Sequence, residues 1–351
     1  MKKIYFKNLY GLRFIAALIV MSYHFYGDSV IHGHYGVVLF FVLSGFLITF
    51  LLFEEKKELK KIKIFNFYMR RVLRIWPLYF LILIISVVLY IYSNKSLNII
   101  NTVPFYLFFL PNVAFALNIT INKYSSILWS VGSEEQFYLL WPILVNSFSR
   151  KRFLKLNLFF IAFFTFGPNI IDFFNHNILN DSEIIIKISK IINKTGFNCI
   201  ATGAVFAYIY KYKKPVVNFI FKIQIMNFIL IIFLLIFNTK TFLFKGIDDQ
   251  VYAFLFGILI LNFAVNKQSI FNLENKLLNY LGKISFGIYM YHLIMIDLTQ
   301  FIMLQFEINR HIIFLISLFL TLFVSGISYK YFEKPFLKIK NNKFSNSILS
   351  S

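Results

Sequence analysis

The stretch LYGLRFIAALIVMSYHFYGDSVIHGHYGVVLFFVLSGFLITFLL, residues 9–52, decides the reading of this chain. It divides around Gly27–Gly33 into two runs, each close to the 17–25 or so mostly apolar residues that cross a bilayer as a helix. Lys2, Lys3 and Lys7 precede the first run, as in a secretory signal peptide. No small-x-small cleavage site follows, and the chain turns back into a second run within about ten residues, so the first helix is expected to stay attached. Inside that helix stand Arg13 and His24. Eleven steps of 100° return to within about 20° of the start, and eleven rises of 1.5 Å cover about 16 Å, so the two share one face at opposite depths. A charged group in a span is costly and ordinarily faces the bundle interior or a wet cavity. Taken singly, Arg13 reads as snorkelling to the interface and His24 as hydrogen-bonded at headgroup level. Sharing a face, they point to a common cavity.

The rest of the chain has the same character. Of its 351 residues 59% are hydrophobic and 20% aromatic, against about 45–50% apolar in a soluble domain. The formal net charge is +21. Its basic residues sit in short loops between apolar runs, which makes the anionic lipid surface the expected partner rather than nucleic acid. Cys199 is the one cysteine, so no intrachain disulfide is possible.

Ten runs qualify as spans: roughly 9–26, 35–53, 75–93, 127–148, 153–174, 196–212, 216–238, 250–266, 281–304 and 311–332. Residues 99–121 are apolar too, but Pro104 and Pro111 interrupt them and an interfacial or re-entrant segment is expected. An all-α integral membrane protein with both termini cytoplasmic follows from the charge distribution. On the ten-span count the loops facing away from the termini hold only Lys95, Lys123, Lys187, Lys190, Lys194, Lys240, Lys245 and Arg310 out of 36 Lys and Arg. An eleventh span at 99–121 would destroy that asymmetry.

Three further stretches place polar groups in or beside spans. LWSVGSEEQFYLLWP carries Glu134 and Glu135 about a third of the way in from the outer surface. Adjacent helix positions diverge by about 100°, so only one can face a cavity. Ser130, Glu134 and Tyr138 form one polar stripe, whereas Glu135 has Val131 and Leu139 at the same spacing, which favours Glu134. Such a carboxylate would orient or stabilise the His24 imidazole; the bland alternative is a carboxylate satisfied by an arginine or tyrosine of the bundle. RRVLRIWPLYF puts Arg71 and Arg74 on one face at the cytoplasmic boundary. A topology anchor explains the neighbouring lysines fully and the paired arginines less well, because guanidinium forks bind phosphate bidentately. ISFGIYMYHLIMI places His292 near mid-depth, where a histidine bonded to a neighbouring helix is expected. Glu333 is expected to pair with a basic loop. His32 and His34 are too few and too exposed for a metal, His176 and His311 read as loop or interface residues, and no Cys/His cluster, Walker loop or GxGxxG is present, so no metal is expected.

Six stretches, LRFIAALIVMSYHF, GVVLFFVLSGFLIT, RRVLRIWPLYF, LWSVGSEEQFYLLWP, SFGIYMYHL and YFEKPF, together resemble the successive signatures of the acyltransferase 3 family, in that family's order across the whole chain. The resemblance implies a multi-pass enzyme of the bacterial inner (cytoplasmic) membrane. It would move an acyl group, usually acetyl, from cytoplasmic acyl-CoA as cosubstrate to a hydroxyl of a carbohydrate or lipid-linked glycan. The family's Arg-x10-His motif maps onto Arg13 and His24, and its Arg-x-x-Arg motif onto Arg71 and Arg74. The family often has an acidic residue where this chain has Val38, which removes a carboxylate from that place. The sequence runs only from the tenth span to Ser351 after position 332, so residues 1–351 are expected to be a single membrane-embedded domain with no soluble C-terminal domain.

The residues support the same chemistry independently. Arginines would hold nucleotide phosphates at the inner mouth of a cavity. A neutral imidazole near the outer mouth would take a proton from a sugar hydroxyl, or carry the acyl group itself. A proton-coupled transporter or glycan exporter would also accommodate intramembrane His, Arg and Glu, but has no particular need of the Arg71–Arg74 pair.

Overall fold

The structure, a computed structural model, describes residues 6, 8–29, 31–93, 99–237, 247–270, 272–303, 306 and 308–344. Lys2, Lys3, Lys7, Lys95, Lys240 and Lys245, which contribute to the charge asymmetry, lie outside them. Among the described residues the regular structure is helical, with no strand. In chain order the helices are α1 (Leu9–Tyr26), α2 (His34–Leu59), α3 (Ile64–Tyr92), α4 (Ile99–Leu107), α5 (Pro111–Ala116), α6 (Lys123–Ser126), α7 (Leu128–Ser147), α8 (Arg150–Ile178) and α9 (Glu183–Asn193). Then come α10 (Phe197–Tyr212), α11 (Lys214–Lys222), α12 (Gln224–Phe237), α13 (Ile247–Val265), α14 (Lys276–Lys283), α15 (Ser285–Met303), α16 (Arg310–Ser328) and α17 (Lys334–Phe344).

Within the described residues each of the ten apolar runs is helical, but not all are membrane-spanning by length and composition. Among the described residues seven helices are long and apolar enough: α1, α2, α3, α8, α13, α15 and the continuous helix Arg310–Phe344. The run at 216–238, expected as one span, is the pair α11 and α12, bent by 63° at Ile223; counted together they raise the number to eight. Gln224, at the bend, is tied by its side chain to Gln268 O and Ile270 N, which fixes the second helix to the segment after α13. Helices α7 and α10 fall short for different reasons. The first spends its polarity on Ser130, Glu134 and Glu135; the second has only 16 residues. Both are largely enclosed by other helices, where polar or short segments meet protein rather than lipid. The apolar segment at 99–121 holds α4 and α5, of nine and six residues; the chain turns between them at Phe109 (φ 57°), and α5 packs on α7.

Helix α2 is the hub, packing on α10, α1, α13 and α7. From Tyr35 to Phe53 it is apolar on nearly every face, as befits a helix enclosed on all sides. Among the described residues its contact with α10 is the most extensive. A Cβ at Gly45 would stand 1.8 Å from Ile200 O, and one at Gly203 would stand 2.1 Å from Val42 O. Glycines at these two positions let the backbones touch. Helix α1 is pinned at its start by Asn8, whose amide donates to Phe263 O (2.9 Å) and accepts from Leu273 N (2.7 Å). Helix α1 then leans on α15. Helices α1, α2, α3, α7 and α15 surround a central cavity.

Candidate active site

Part of the cavity wall is cationic. Arg13 enters from α1, and Arg71 and Arg74 enter from α3. Three residues apart on a helix, the last two share a face, and that face points inward. Among the described residues none of the three has a hydrogen-bond or ion-pair partner; Arg71 Nε is buried and unpaired, and its guanidinium only faces the rings of Phe67 and Tyr138, each 5.9 Å away. Their neighbour Arg70 differs. It donates to Glu55 Oε2 at 3.1 Å, and Glu55 is 0% exposed. The basic run thus divides into a structural arginine and two cavity arginines.

Further in, Ser130, Glu134 and Tyr138 line the cavity as a stripe of α7. Tyr138 donates to Glu134 Oε2 at 2.8 Å and meets Ser44 of α2. Glu135 points elsewhere: its Oε2 accepts from Trp76 Nε1 at 2.9 Å, and its Oε1 is buried without a partner. Ser285 and Tyr289 of α15 complete the wall.

Beyond Tyr289 lies a histidine pair. Tyr289 holds its hydroxyl between Ser130 Oγ (2.7 Å) and Ile127 O (2.9 Å). Its own carbonyl lies 2.6 Å from His292 Nδ1, and His292 Nε2 lies 3.1 Å from His24 Nδ1. These contacts assign the tautomers. A carbonyl only accepts, so His292 carries its proton on Nδ1 and a lone pair on Nε2. The proton between the rings must then belong to His24 Nδ1, which also faces Val20 O at 3.1 Å. Neutral His24 is left with a lone pair on Nε2. His292 is 1% exposed and held rigidly, whereas His24 is exposed.

The sequence expectation is corrected at two points. Arg13 lines the cavity, but His24, expected to share it, is not among the residues of its wall. The carboxylate expected to back His24 does not reach it: among the described residues no hydrogen bond or ion pair joins His24 to Glu134 or Glu135. Counted from the ends of their helices, Glu134 is six residues in, about 9 Å, and His24 two, about 3 Å, a difference of a full turn. His292 takes that place instead. Ser44, Ser285 and Tyr289 went unforeseen, although Ser285, Tyr289 and His292 recur at i, i+4 and i+7, one helix face. Glu333 faces Arg74 electrostatically and accepts from Ser328 at 3.5 Å. His34 pairs with Asp249 at 2.9 Å, His176 with Asp181 at 3.2 Å, and His311 with the Tyr26 hydroxyl at 3.0 Å. Among the described residues no group of three His, Cys, Asp or Glu is placed to hold a metal.

Comparison with known proteins adds an independent finding. Residues 6–330 match a family model described as an acyltransferase domain. The O-acetyltransferase OatA of Staphylococcus aureus strain MRSA252 is 27% identical over 380 residues, covering 98% of this chain and 61% of that protein. A putative O-acetyltransferase of Staphylococcus aureus strain COL is 26% identical, covering 95% of this chain and 58% of that protein. The chain therefore spans about 61% of the length of such relatives. No solved structure matches it.

Proposed function

This chain belongs to the acyltransferase 3 family, and we propose that it is a multi-pass O-acetyltransferase of the bacterial inner membrane, with ten crossings and both termini cytoplasmic. It takes acetyl from acetyl-CoA in the cytoplasm and places it on a hydroxyl of a carbohydrate acceptor, such as a lipid-linked glycan, on the far side. The observation that carries this reading is a cavity whose wall holds three arginines with no hydrogen-bond or ion-pair partner among the described residues, and a histidine of fixed tautomer outside it on the same helix as Arg13. Half-buried guanidinium groups of this kind call for an anion, and phosphates match their fork geometry. The arginine and the histidine of α1 are about 16 Å apart along the helix, a distance that an extended pantetheine arm bridges.

In this reading His24 Nε2 takes the proton of the acceptor hydroxyl while the hydroxyl oxygen bonds to the thioester carbonyl carbon. The carbon–sulfur bond breaks, and the thiolate of coenzyme A leaves and recovers the proton from the imidazolium. His292 holds His24 in the tautomer that exposes Nε2. Glu134, bonded to Tyr138 and facing Arg13 and Arg71, keeps the arginines poised in the cavity wall. The test is direct. Purified protein in nanodiscs receives isotopically labelled acetyl-CoA and candidate glycans, and mass spectrometry looks for a labelled ester. Solute uptake into proteoliposomes without any such ester would favour a carrier instead.

A further inference from the structure

At the His24 end of the bundle, aromatic rings from α1, α2, α5, α7 and the connection between the first two helices follow one another. The Tyr23 ring meets His24 edge-on at 5.7 Å, and His32 lies against Tyr23 at 4.5 Å. His34 follows His32 at 6.4 Å. Trp129 stacks on His34 at 6.0 Å with the planes 17° apart, and Phe115 stacks on Trp129 at 5.9 Å. Asp249 of α13 fixes the His34 ring through an oxygen 2.9 Å from Nε2, and the Lys194 ammonium lies 5.5 Å from the Trp129 ring. Trp129 also meets Phe41 edge-on at 5.9 Å. Phe41 lines the cavity, as does Ser130, the residue after Trp129. The rings therefore run from the exposed histidine to the cavity wall.

Two simpler accounts of these rings fail. An interfacial belt sets its aromatic residues at the lipid headgroups, whereas these rings face one another and Trp129 is only 9% exposed. Plain packing would leave the indole N–H satisfied, as a buried indole ordinarily is. Trp76 donates to Glu135 Oε2 at 2.9 Å and Trp141 to Thr49 Oγ1 at 2.7 Å. Among the described residues the third tryptophan, Trp129, donates to no protein group. Aromatic faces, a carboxylate with one oxygen engaged by His34 and a sheltered indole donor together suit a sugar ring, whose C–H face packs on aromatic surfaces while its rim of hydroxyls seeks hydrogen bonds. We propose that this shelf is the acceptor subsite. Its ligand is a pyranose that packs against Tyr23, His32 and His34, accepts a hydrogen bond from Trp129 Nε1 and so presents a neighbouring hydroxyl to His24 Nε2. The inference rests on the acyltransferase reading and deepens it by giving the acceptor a place and a class.

The experiment separates acceptor from donor. Wild-type protein and the Trp129→Phe and Trp141→Phe variants are assayed with acetyl-CoA and four acceptors, the methyl β-glycosides of glucose, galactose, mannose and N-acetylglucosamine, with octan-1-ol as a non-sugar alcohol. Trp129→Phe keeps a ring in the stack and removes the N–H. Its KM for the best glycoside should rise about fivefold, the usual size for a lost hydrogen bond, with kcat and the KM for acetyl-CoA near wild type. Tryptophan fluorescence gives a readout without turnover: it should change on titration with that glycoside in the wild type and in Trp141→Phe, and not in Trp129→Phe. An unchanged KM for the glycoside in Trp129→Phe overturns the proposal. So does an equal rise in both KM values, which would make Trp129 a packing residue, and so does wild-type fluorescence that ignores the sugar. Wild-type protein that acetylates octan-1-ol in preference to every glycoside also overturns it while leaving the acyltransferase reading intact. Consumption of no acetyl-CoA with any acceptor overturns both.

Discussion

His292 holds its Nε2 3.1 Å from Nδ1 of His24, with its own Nδ1 locked to Tyr289 O at 2.6 Å. A carbonyl at one end of this chain therefore fixes which nitrogen of the exposed histidine can accept a proton.

If His24 is the base, His24→Ala should lose about 10²–10⁴ in transfer rate at normal expression and membrane insertion. Near-wild-type ester formation by a well-folded variant would remove His24 from the chemistry.

The partner ring gives a finer test. His292→Phe keeps the bulk but offers no acceptor, so kcat should drop at least tenfold with little change in the KM for acetyl-CoA. In His292→Gln the amide oxygen can still accept from His24 Nδ1, and much of the rate should return. Nitrogen-15 shifts of labelled wild-type protein should show the His24 proton on Nδ1. Finding it on Nε2 would contradict the tautomer assignment.

Arg71→Lys and Arg74→Lys keep the charge and lose the fork, so each should raise the KM for acetyl-CoA about tenfold. Arg70→Met should behave differently. It strands the fully buried Glu55 and should lower the stability by about 3–5 kcal/mol, read as a fall in unfolding midpoint. If all three substitutions had one and the same effect, the division of the basic run would be wrong.

Glu134→Gln should cost far more activity than Glu135→Gln at equal protein levels. The first carboxylate bonds Tyr138 in the cavity wall, and the second bonds Trp76 outside it. The reverse ranking in a rate assay would contradict the helix phase seen here.

Gly45→Ala places a methyl where Ile200 O stands, 1.8 Å away. The hub helix must then shift by more than a side chain can absorb, and the expected result is a loss of folded protein on size-exclusion chromatography. A monodisperse, active Gly45→Ala variant would mean that α2 and α10 separate easily.

Much of this was legible in advance because helix periodicity reports faces. The inward pair Arg71 and Arg74 and the stripe Ser130–Glu134–Tyr138 follow from residue spacing alone, whereas the common cavity expected for Arg13 and His24 does not, since only Arg13 lines it. Spacing says nothing of which face of a distant helix will answer. His292 meets His24 across 268 residues, and no pattern within either helix encodes that meeting. The break at Ile223 was hidden for the same reason, since what ties Gln224 down lies on the segment at Gln268–Ile270. Helix α17 was missed because it continues the last span beyond position 332, where the apolar run ends.

Tyr289 couples two parts of the molecule that the chain places far apart. Its hydroxyl is held by Ser130 Oγ and by Ile127 O at the start of α7, and its carbonyl meets His292 Nδ1. One residue therefore joins the cavity wall to the histidine pair, so that any sliding of α15 against α7 would be felt at both.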